Sequence, residues 1–143
     1  MQRILILNGP NLNLLGKREP DLYGSMALDD LVKEWQDIGE KNNTEVICMQ
    51  SNVEGELINA IQQHGFEAKA IIFNPGGYTH TSVAIRDAIA AITAPVYEVH
   101  ISHPESREEF RKNSLVREVC AGAVSGMGVK AYEMILRHLL NGE

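Results

Sequence analysis

"AIIFNPGGYTHTSVAIRDAIAAITAPVYEVH", residues 70–100, is one complete structural unit written in sequence. "AIIF" (70–73) and "PVYEV" (95–99) are short and mostly apolar, as strands buried on both faces of a parallel sheet must be. Between them, "TSVAIRDAIAAI" (81–92) carries apolar residues at helical spacing, starting from Thr81 or Ser82. The unit reads strand, polar turn, helix, strand.

The same alternation extends in both directions. "RILIL" (3–7), "TEVICM" (44–49) and "AGAVS" (121–125) are three more short apolar runs. "SMALDDLVKEWQDIGEKN" predicts a helix with Ser25 as N-cap and Leu28, Leu31, Val32, Trp35 and Ile38 on one face. "GELINAIQQHG" predicts a second, with Leu57, Ile58 and Ile61 inward and Gly65 as a left-handed stop. "SREEFRKNS" opens with Ser106-x-x-Glu109, a capping box, and predicts a short helix. "VKAYEMILRHLLNG" predicts a final amphipathic helix with Tyr132, Ile135, Leu136 and Leu139 inward. The order is βα repeated, which predicts a three-layer α/β fold with right-handed crossovers. Five strands suggest a flavodoxin-like, five-stranded parallel sheet in the order 2-1-3-4-5. No internal repeat, low-complexity run or linker interrupts the pattern, so residues 1–143 read as a single domain.

Composition narrows the function. Of the 143 residues, 44% are hydrophobic and 22% charged, the balance of a globular chain. The formal net charge is −6 and no basic block occurs, which argues against nucleic acid as a partner. It leaves room for a local cationic pocket around a small anion. Cys48 and Cys120 lie inside apolar runs without metal or redox spacing, and read as buried, reduced thiols. "MQRILILNGP" is too short in apolar length for a signal peptide, and no run approaches the roughly 18 apolar residues of a membrane span. A cytoplasmic protein without a membrane partner is expected.

In an open parallel sheet, ligands bind beyond the carboxyl ends of the strands. The unusual residues fall at that edge. Strand one is followed by Asn8, Gly9, Pro10 and Asn11; strand three by "NPGGYTH" (74–80); strand four by "HISH" (100–103); strand five by "GMG" (126–128). Opposite turns such as "EKNN" and "GFEAK" look like ordinary solvent-facing loops. The connection from Asn8 to Gly24 runs to about 17 residues, against roughly 2–6 for an ordinary strand-to-helix loop. It carries Arg18 and Tyr23.

Several chemistries lack their signatures. There is no G-x-G-x-x-G after strand one, no G-x-x-x-x-G-K-[ST] and no G-x-S-x-G elbow. His100 and His103 have no third metal ligand at suitable spacing, and no lysine sits in an apolar strand. General acid–base chemistry survives. Glu98 lies two residues before His100, on the same strand face, where a carboxylate can fix an imidazole's tautomer. His80 stands just before a helix N-terminus and reads equally as a ligand contact or a structural histidine. A phenol ionises near 10, too high for a base at neutrality. A cation within ~4–6 Å lowers that value by about 1–3 units, and ~2 units correspond to about 2.7 kcal/mol. Arg18 beside Tyr23 can supply this, although the residues alone fit an exposed arginine and a surface tyrosine as well. A non-catalytic flavodoxin-like module binding flavin or another nucleotide is the competing reading.

"NGPNLNLLGKREPDLYG", "FNPGGYTHTS", "YEVHIS" and "REEFRKNS" together resemble the type II 3-dehydroquinate dehydratases, in order and over essentially the whole chain. The resemblance implies a flavodoxin-like enzyme of the shikimate pathway with no metal or cofactor, built as a dodecamer of four trimers. It implies anti elimination of water from 3-dehydroquinate through an enolate, giving 3-dehydroshikimate. By the same resemblance Tyr23 removes the C2 proton, Arg18 lowers the phenol's pKa from a mobile lid, and Asn11 holds a water at the enolate oxygen. His100 protonates the departing C1 hydroxyl with Glu98 behind it. Asn74, His80 and Arg111 bind substrate hydroxyls, Ile101 and Ser102 the carboxylate, and Asp87 reaches the neighbouring subunit's site. The chain departs from the commoner family pattern at Val53, at His103 and along "KNSLVREV".

Overall fold

A computed structural model of the chain describes residues 1–17 and 26–141. The described residues form a five-stranded parallel sheet in the order β2-β1-β3-β4-β5. The strands are β1 (Gln2–Asn8), β2 (Thr44–Gln50), β3 (Ala70–Asn74), β4 (Val96–His100) and β5 (Gly122–Ser125). Four α-helices accompany them: α1 (Leu28–Lys41), α2 (Glu54–His64), α3 (Val83–Ala91) and α4 (Lys130–Leu140).

Alternation along the strands builds the layers. Ile4, Ile6, Ala70, Ile72 and Val99 pack with Leu31, Trp35, Tyr132, Ile135 and Leu136 of α1 and α4. Leu5, Leu7, Ile71, Phe73 and Val96 pack with Leu57, Ile61, Ile85 and Ile89 of α2 and α3. β1 and β3 are therefore apolar on both faces, as central strands of a covered parallel sheet require. Trp35 stacks on Tyr132 with ring centroids 4.5 Å apart, joining α1 to α4.

Three local expectations change. α1 begins at Leu28 behind an extended Ala27, with Asp29 and Asp30 in its first turn favouring the positive end of the helix dipole; Ser25 lies outside the described residues. Gly65 ends α2 with φ −69°, not in the left-handed region. Glycine is needed there for space, since an added Cβ would stand 2.3 Å from Ile92 Cγ2 and 2.5 Å from the Ile61 carbonyl oxygen. The β4–β5 connection is not an α-helix but three 3₁₀ turns, Pro104–Ser106, Glu109–Lys112 and Arg117–Val119. The capping box fails because the Ser106 hydroxyl donates to the His103 carbonyl (2.9 Å) and Arg107 takes a non-helical ψ of −138°. No residue of Glu109–Lys112 is buried, so no apolar stripe sustains a longer helix.

The register leaves Asn8, Asn74 and His100 at the carboxyl ends of β1, β3 and β4. Gly9 N–H donates to the Asn74 carbonyl at 2.8 Å, locking the first two turns together. An alanine Cβ at Gly9 would meet the Pro75 carbonyl oxygen at 2.6 Å, a backbone atom that cannot swing aside. We expect Gly9→Ala to lower the unfolding free energy by about 1–3 kcal/mol, the usual cost of overpacking. Chemical denaturation measures it, and a parent-like midpoint would show that this approach is not tight in solution.

Candidate active site

The polar turns converge on one pocket at the carboxyl edge of the sheet. Its lining includes Asn11, Asn74, His80, His100, Ile101, Ser102, Arg107 and Arg111. Seven of the positions singled out in the sequence thus meet in one place, and an eighth, Glu98, lies directly beneath His100. Asp87 stands on the exposed face of α3, away from the pocket lining. Arg18 and Tyr23 lie outside the described residues.

The floor is charged. Strand alternation puts Glu98 and His100 on one face of β4, and Glu98 Oε2 lies 2.5 Å from His100 Nε2. Glu98 has no exposed surface, and His100 is also buried. The Ser114 hydroxyl donates to Oε2 (3.0 Å), and Arg117 donates from Nε to Oε1 (3.2 Å) and from Nη2 to Oε2 (3.4 Å). Burial pushes the Glu98 carboxyl upward, but the hydrogen bonds and charges of His100 and Arg117 outweigh it and hold the group below the usual carboxylate value. With Nε2 committed to the carboxylate, Nδ1 is the ring nitrogen not bonded to Glu98. It can give up a proton only when the ring is an imidazolium.

The wall formed by β1 and β3 is neutral. The Tyr132 hydroxyl, fully buried, donates to Asn8 Oδ1 (2.5 Å) and accepts from Asn74 Nδ2 (2.9 Å). Asn74 Oδ1 accepts the Gly76 N–H at 3.1 Å. Burial raises the Tyr132 phenol far above its ordinary value, so it stays a neutral hydrogen-bonding bridge. Asn11 follows in left-handed conformation, φ 72°, which asparagine tolerates better than most residues. Its N–H donates to Asn52 Oδ1 at 2.9 Å, and Gln50 Nε2 donates both to Asn52 Oδ1 (3.2 Å) and to the Gly9 carbonyl (3.2 Å).

The rim carries the cations. Arg107 and Arg111 both line the pocket, making a local positive region in an acidic chain. Arg107 Nη1 stands 3.5 Å from Ser102 Oγ. Arg111 pairs through Nε with the Glu108 carboxylate and lies 5.0 Å over the Phe110 ring. His80 Nδ1 is 2.7 Å from the Asn113 carbonyl oxygen, which can only accept, so Nδ1 carries the hydrogen. Gly126 N–H donates to the Ser102 carbonyl (3.1 Å) and Gly128 N–H to that of Ile101 (3.0 Å), fixing the segment after His100. Both glycines have positive φ, 80° and 65°, which explains the "GMG" turn without any phosphate.

Sequence reading missed the residues behind the lining: Ser114 and Arg117 behind Glu98, Tyr132 behind Asn74, Gln50 and Asn52 behind Asn11. Tyr132 was legible only as an apolar helix position. Nothing in the sequence near Arg117 or Asn52 separates them from surface residues. Among the described residues there is no group of three or more His, Cys, Asp or Glu side chains suited to a metal, and no helix long and apolar enough to cross a membrane.

A model of the family described as "Dehydroquinase class II" matches residues 2–140. A 3-dehydroquinate dehydratase of Pelotomaculum thermopropionicum is 47% identical over 135 residues, covering 94% of each chain. One from Bacillus licheniformis is 47% identical over 141 residues, covering 99% of this chain and 97% of its own. The crystal structure of a type II dehydroquinase from Butyrivibrio crossotus matches with a TM-score of 0.93 at 45% identity, over 96% of this chain and 97% of its own.

The buried carboxylate gives stability a pH dependence of defined sign. Because Glu98 is held below its ordinary value of 4.5, the unfolded chain binds more protons than the folded one between the two values. Its contribution is present above that window and is lost as pH falls through the folded value. Denaturation at about pH 6 and about pH 4 should show the loss. Glu98→Gln should be less stable at the higher pH but should lose less on acidification, while Glu105, Glu108 and Glu133, also held low, keep their own contribution. The same drop in both proteins would remove Glu98 as a source.

Proposed function

The chain belongs to the class II dehydroquinase family and is a hydro-lyase acting on 3-dehydroquinate, and we propose that the pocket at the carboxyl edge of the sheet carries out this elimination with the residues assigned below. The observation that carries the reading is the buried Glu98–His100 pair opening onto a pocket lined by Asn74, His80, Arg107 and Arg111. That combination offers a proton donor, hydroxyl partners and cations for a carboxylate.

In this reading the Tyr23 phenolate, kept ionised by Arg18, takes a proton from C2, beside the ketone. The electron pair moves into the carbonyl to give an enolate, stabilised by a water held at Asn11. The enolate then re-forms the ketone and expels the C1 hydroxyl, which leaves as water with a proton from His100. Tyr23 ends protonated and His100 neutral, so returning one proton from the phenol and one to the imidazole by way of solvent completes the cycle. Net, 3-dehydroquinate becomes 3-dehydroshikimate and water, by anti elimination. Glu98 supports the imidazolium before transfer. Asn74 and His80 bind ring hydroxyls, with His80 Nε2 as acceptor, since Nδ1 is committed to Asn113. Arg111 joins them, and the segment Ile101–Ser102 receives the carboxylate.

The exposed Asp87 fits a role at a neighbouring subunit's site, and a homododecamer of four trimers is the assembly we propose. A single domain over the whole chain, a cytoplasmic location and turnover without a cofactor complete the reading. The long loop holding Arg18 and Tyr23 would act as the lid that excludes water.

The product is a conjugated enone, so ultraviolet absorbance should rise when the purified assembly meets 3-dehydroquinate. Tyr23→Phe should abolish that rise while circular dichroism and assembly size stay unchanged; near-parent turnover would reject Tyr23 as the base. His100→Ala should slow the reaction by about 10²–10⁴-fold, the range for loss of a general acid.

A further inference from the structure

We propose that Arg117 is a positioning residue for this reaction: it grips both oxygens of the Glu98 carboxylate and thereby fixes the orientation of the His100 ring without touching the pocket. The proposal rests on the assignment of His100 as the acid.

Arg117 is not among the pocket-lining residues. It sits at the start of a 3₁₀ turn between β4 and β5, with its side chain 42% exposed, yet it ends on a carboxylate with no exposed surface. Its guanidinium uses three nitrogens for two partners. Nε reaches Glu98 Oε1 at 3.2 Å, Nη2 reaches Oε2 at 3.4 Å, and Nη1 reaches Glu105 Oε1 at 3.2 Å. Nε and Nη2 form a planar fork across the carboxylate, a geometry arginine can make and lysine cannot.

The second oxygen decides the argument. Oε2 already receives His100 and Ser114. Were Oε2 the only anchored atom, the carboxylate could pivot about it and carry the imidazole along. Among the described residues, Arg117 is the donor that reaches Oε1, and it closes that rotation. The Ser114 hydroxyl strengthens the link, because it accepts the Arg117 backbone N–H at 3.1 Å while donating to Oε2. Glu105 holds the other end of the guanidinium, and His103 Nδ1 lies 3.3 Å from Glu105 Oε2. Among the described residues, the charged and titratable groups facing Glu98 are His100, Arg117 and the thiol of Cys120.

The test uses the intact assembly and the enone absorbance assay. Arg117→Met should lower kcat by about 10–100-fold with KM within about twofold, because orientation of the acid is lost while the substrate contacts remain. Arg117→Lys keeps the charge but not the fork and should fall between Arg117→Met and the parent. In a Glu98→Gln background the Arg117→Met change should cost less than about threefold, since its route to His100 is already broken. If that background is too slow to measure, the division between kcat and KM in the single variants decides. A parent-like kcat in assembled Arg117→Met overturns the proposal, as does an equal penalty in both backgrounds. If Arg117→Met fails to assemble and Arg117→Lys turns over at the parent rate, the arginine is structural and the proposal is likewise overturned. His100→Ala separates the two levels: retained turnover there removes the acid assignment itself, whereas its loss beside a fast Arg117→Met removes only the positioning role.

Discussion

The carboxylate of Glu98 has no exposed surface, and it stands in the middle of β4, between β3 and β5. Taking such a charge out of water costs several kcal/mol unless partners compensate it. Here the partners are a histidine from the same strand and a serine and an arginine from the connection to β5. That connection has no α-helix and little buried apolar surface near Arg111. Val116, fully buried in the core, and the Leu115 N–H on the Thr79 carbonyl anchor it farther along, and the rest of its course follows the groups it satisfies. The chain bends through three short turns so that Ser114 and Arg117 arrive over Glu98, and the same course brings Arg107 and Arg111 to the pocket. One buried charge thus ties the floor of the site to the segment that makes its rim.

The opposite wall shows a different solution. Asn8 and Asn74 sit side by side in the register of β1 and β3, and both amides would be unsatisfied in an apolar interior. The Tyr132 hydroxyl of α4 bridges them. The bridge is neutral, and its phenol is raised out of the range in which it would ionise, so this wall keeps its geometry across ordinary pH. The pocket is held on one side by groups indifferent to protons and on the other by groups that exchange them. An enzyme that must hold a ring still while moving protons has use for both.

The sheet was legible because its strands announce themselves twice, by apolar runs and by the turns that follow them. Ile71, Ile72 and Phe73 could only be a buried strand, and "NPGGYTH" could only follow one. The site was legible for a related reason: Asn11, Asn74 and His100 each stand at or just beyond a strand end, where the topology makes neighbours of residues distant in sequence. The segment between β4 and β5 was not legible. Ser106 and Glu109 carry the spacing of a capping box, but spacing does not say which partner the serine takes, and its hydroxyl donates to the His103 carbonyl. Arg117 and Asn52 were missed because their role exists only through a partner on another element. Arg117 is 19 residues from Glu98, and Asn52 is 41 from Asn11. No periodicity connects such pairs.

Electrostatics completes the picture. A chain of net charge −6 repels a small carboxylate at long range, yet such repulsion is screened beyond about 8–10 Å at ordinary ionic strength. At the pocket the field is local, and there Arg107 and Arg111 form part of the lining. Arg111 is partly neutralised by Glu108, so the rim's field is less than two guanidiniums suggest. Substrate and product carry the same carboxylate, so any charge attraction binds both equally and cannot favour the transition state. Rate must come from groups that act on C1 and C2 alone. In the proposed reading those groups are Tyr23 at C2 and His100 at C1, the latter hydrogen-bonded to the buried Glu98.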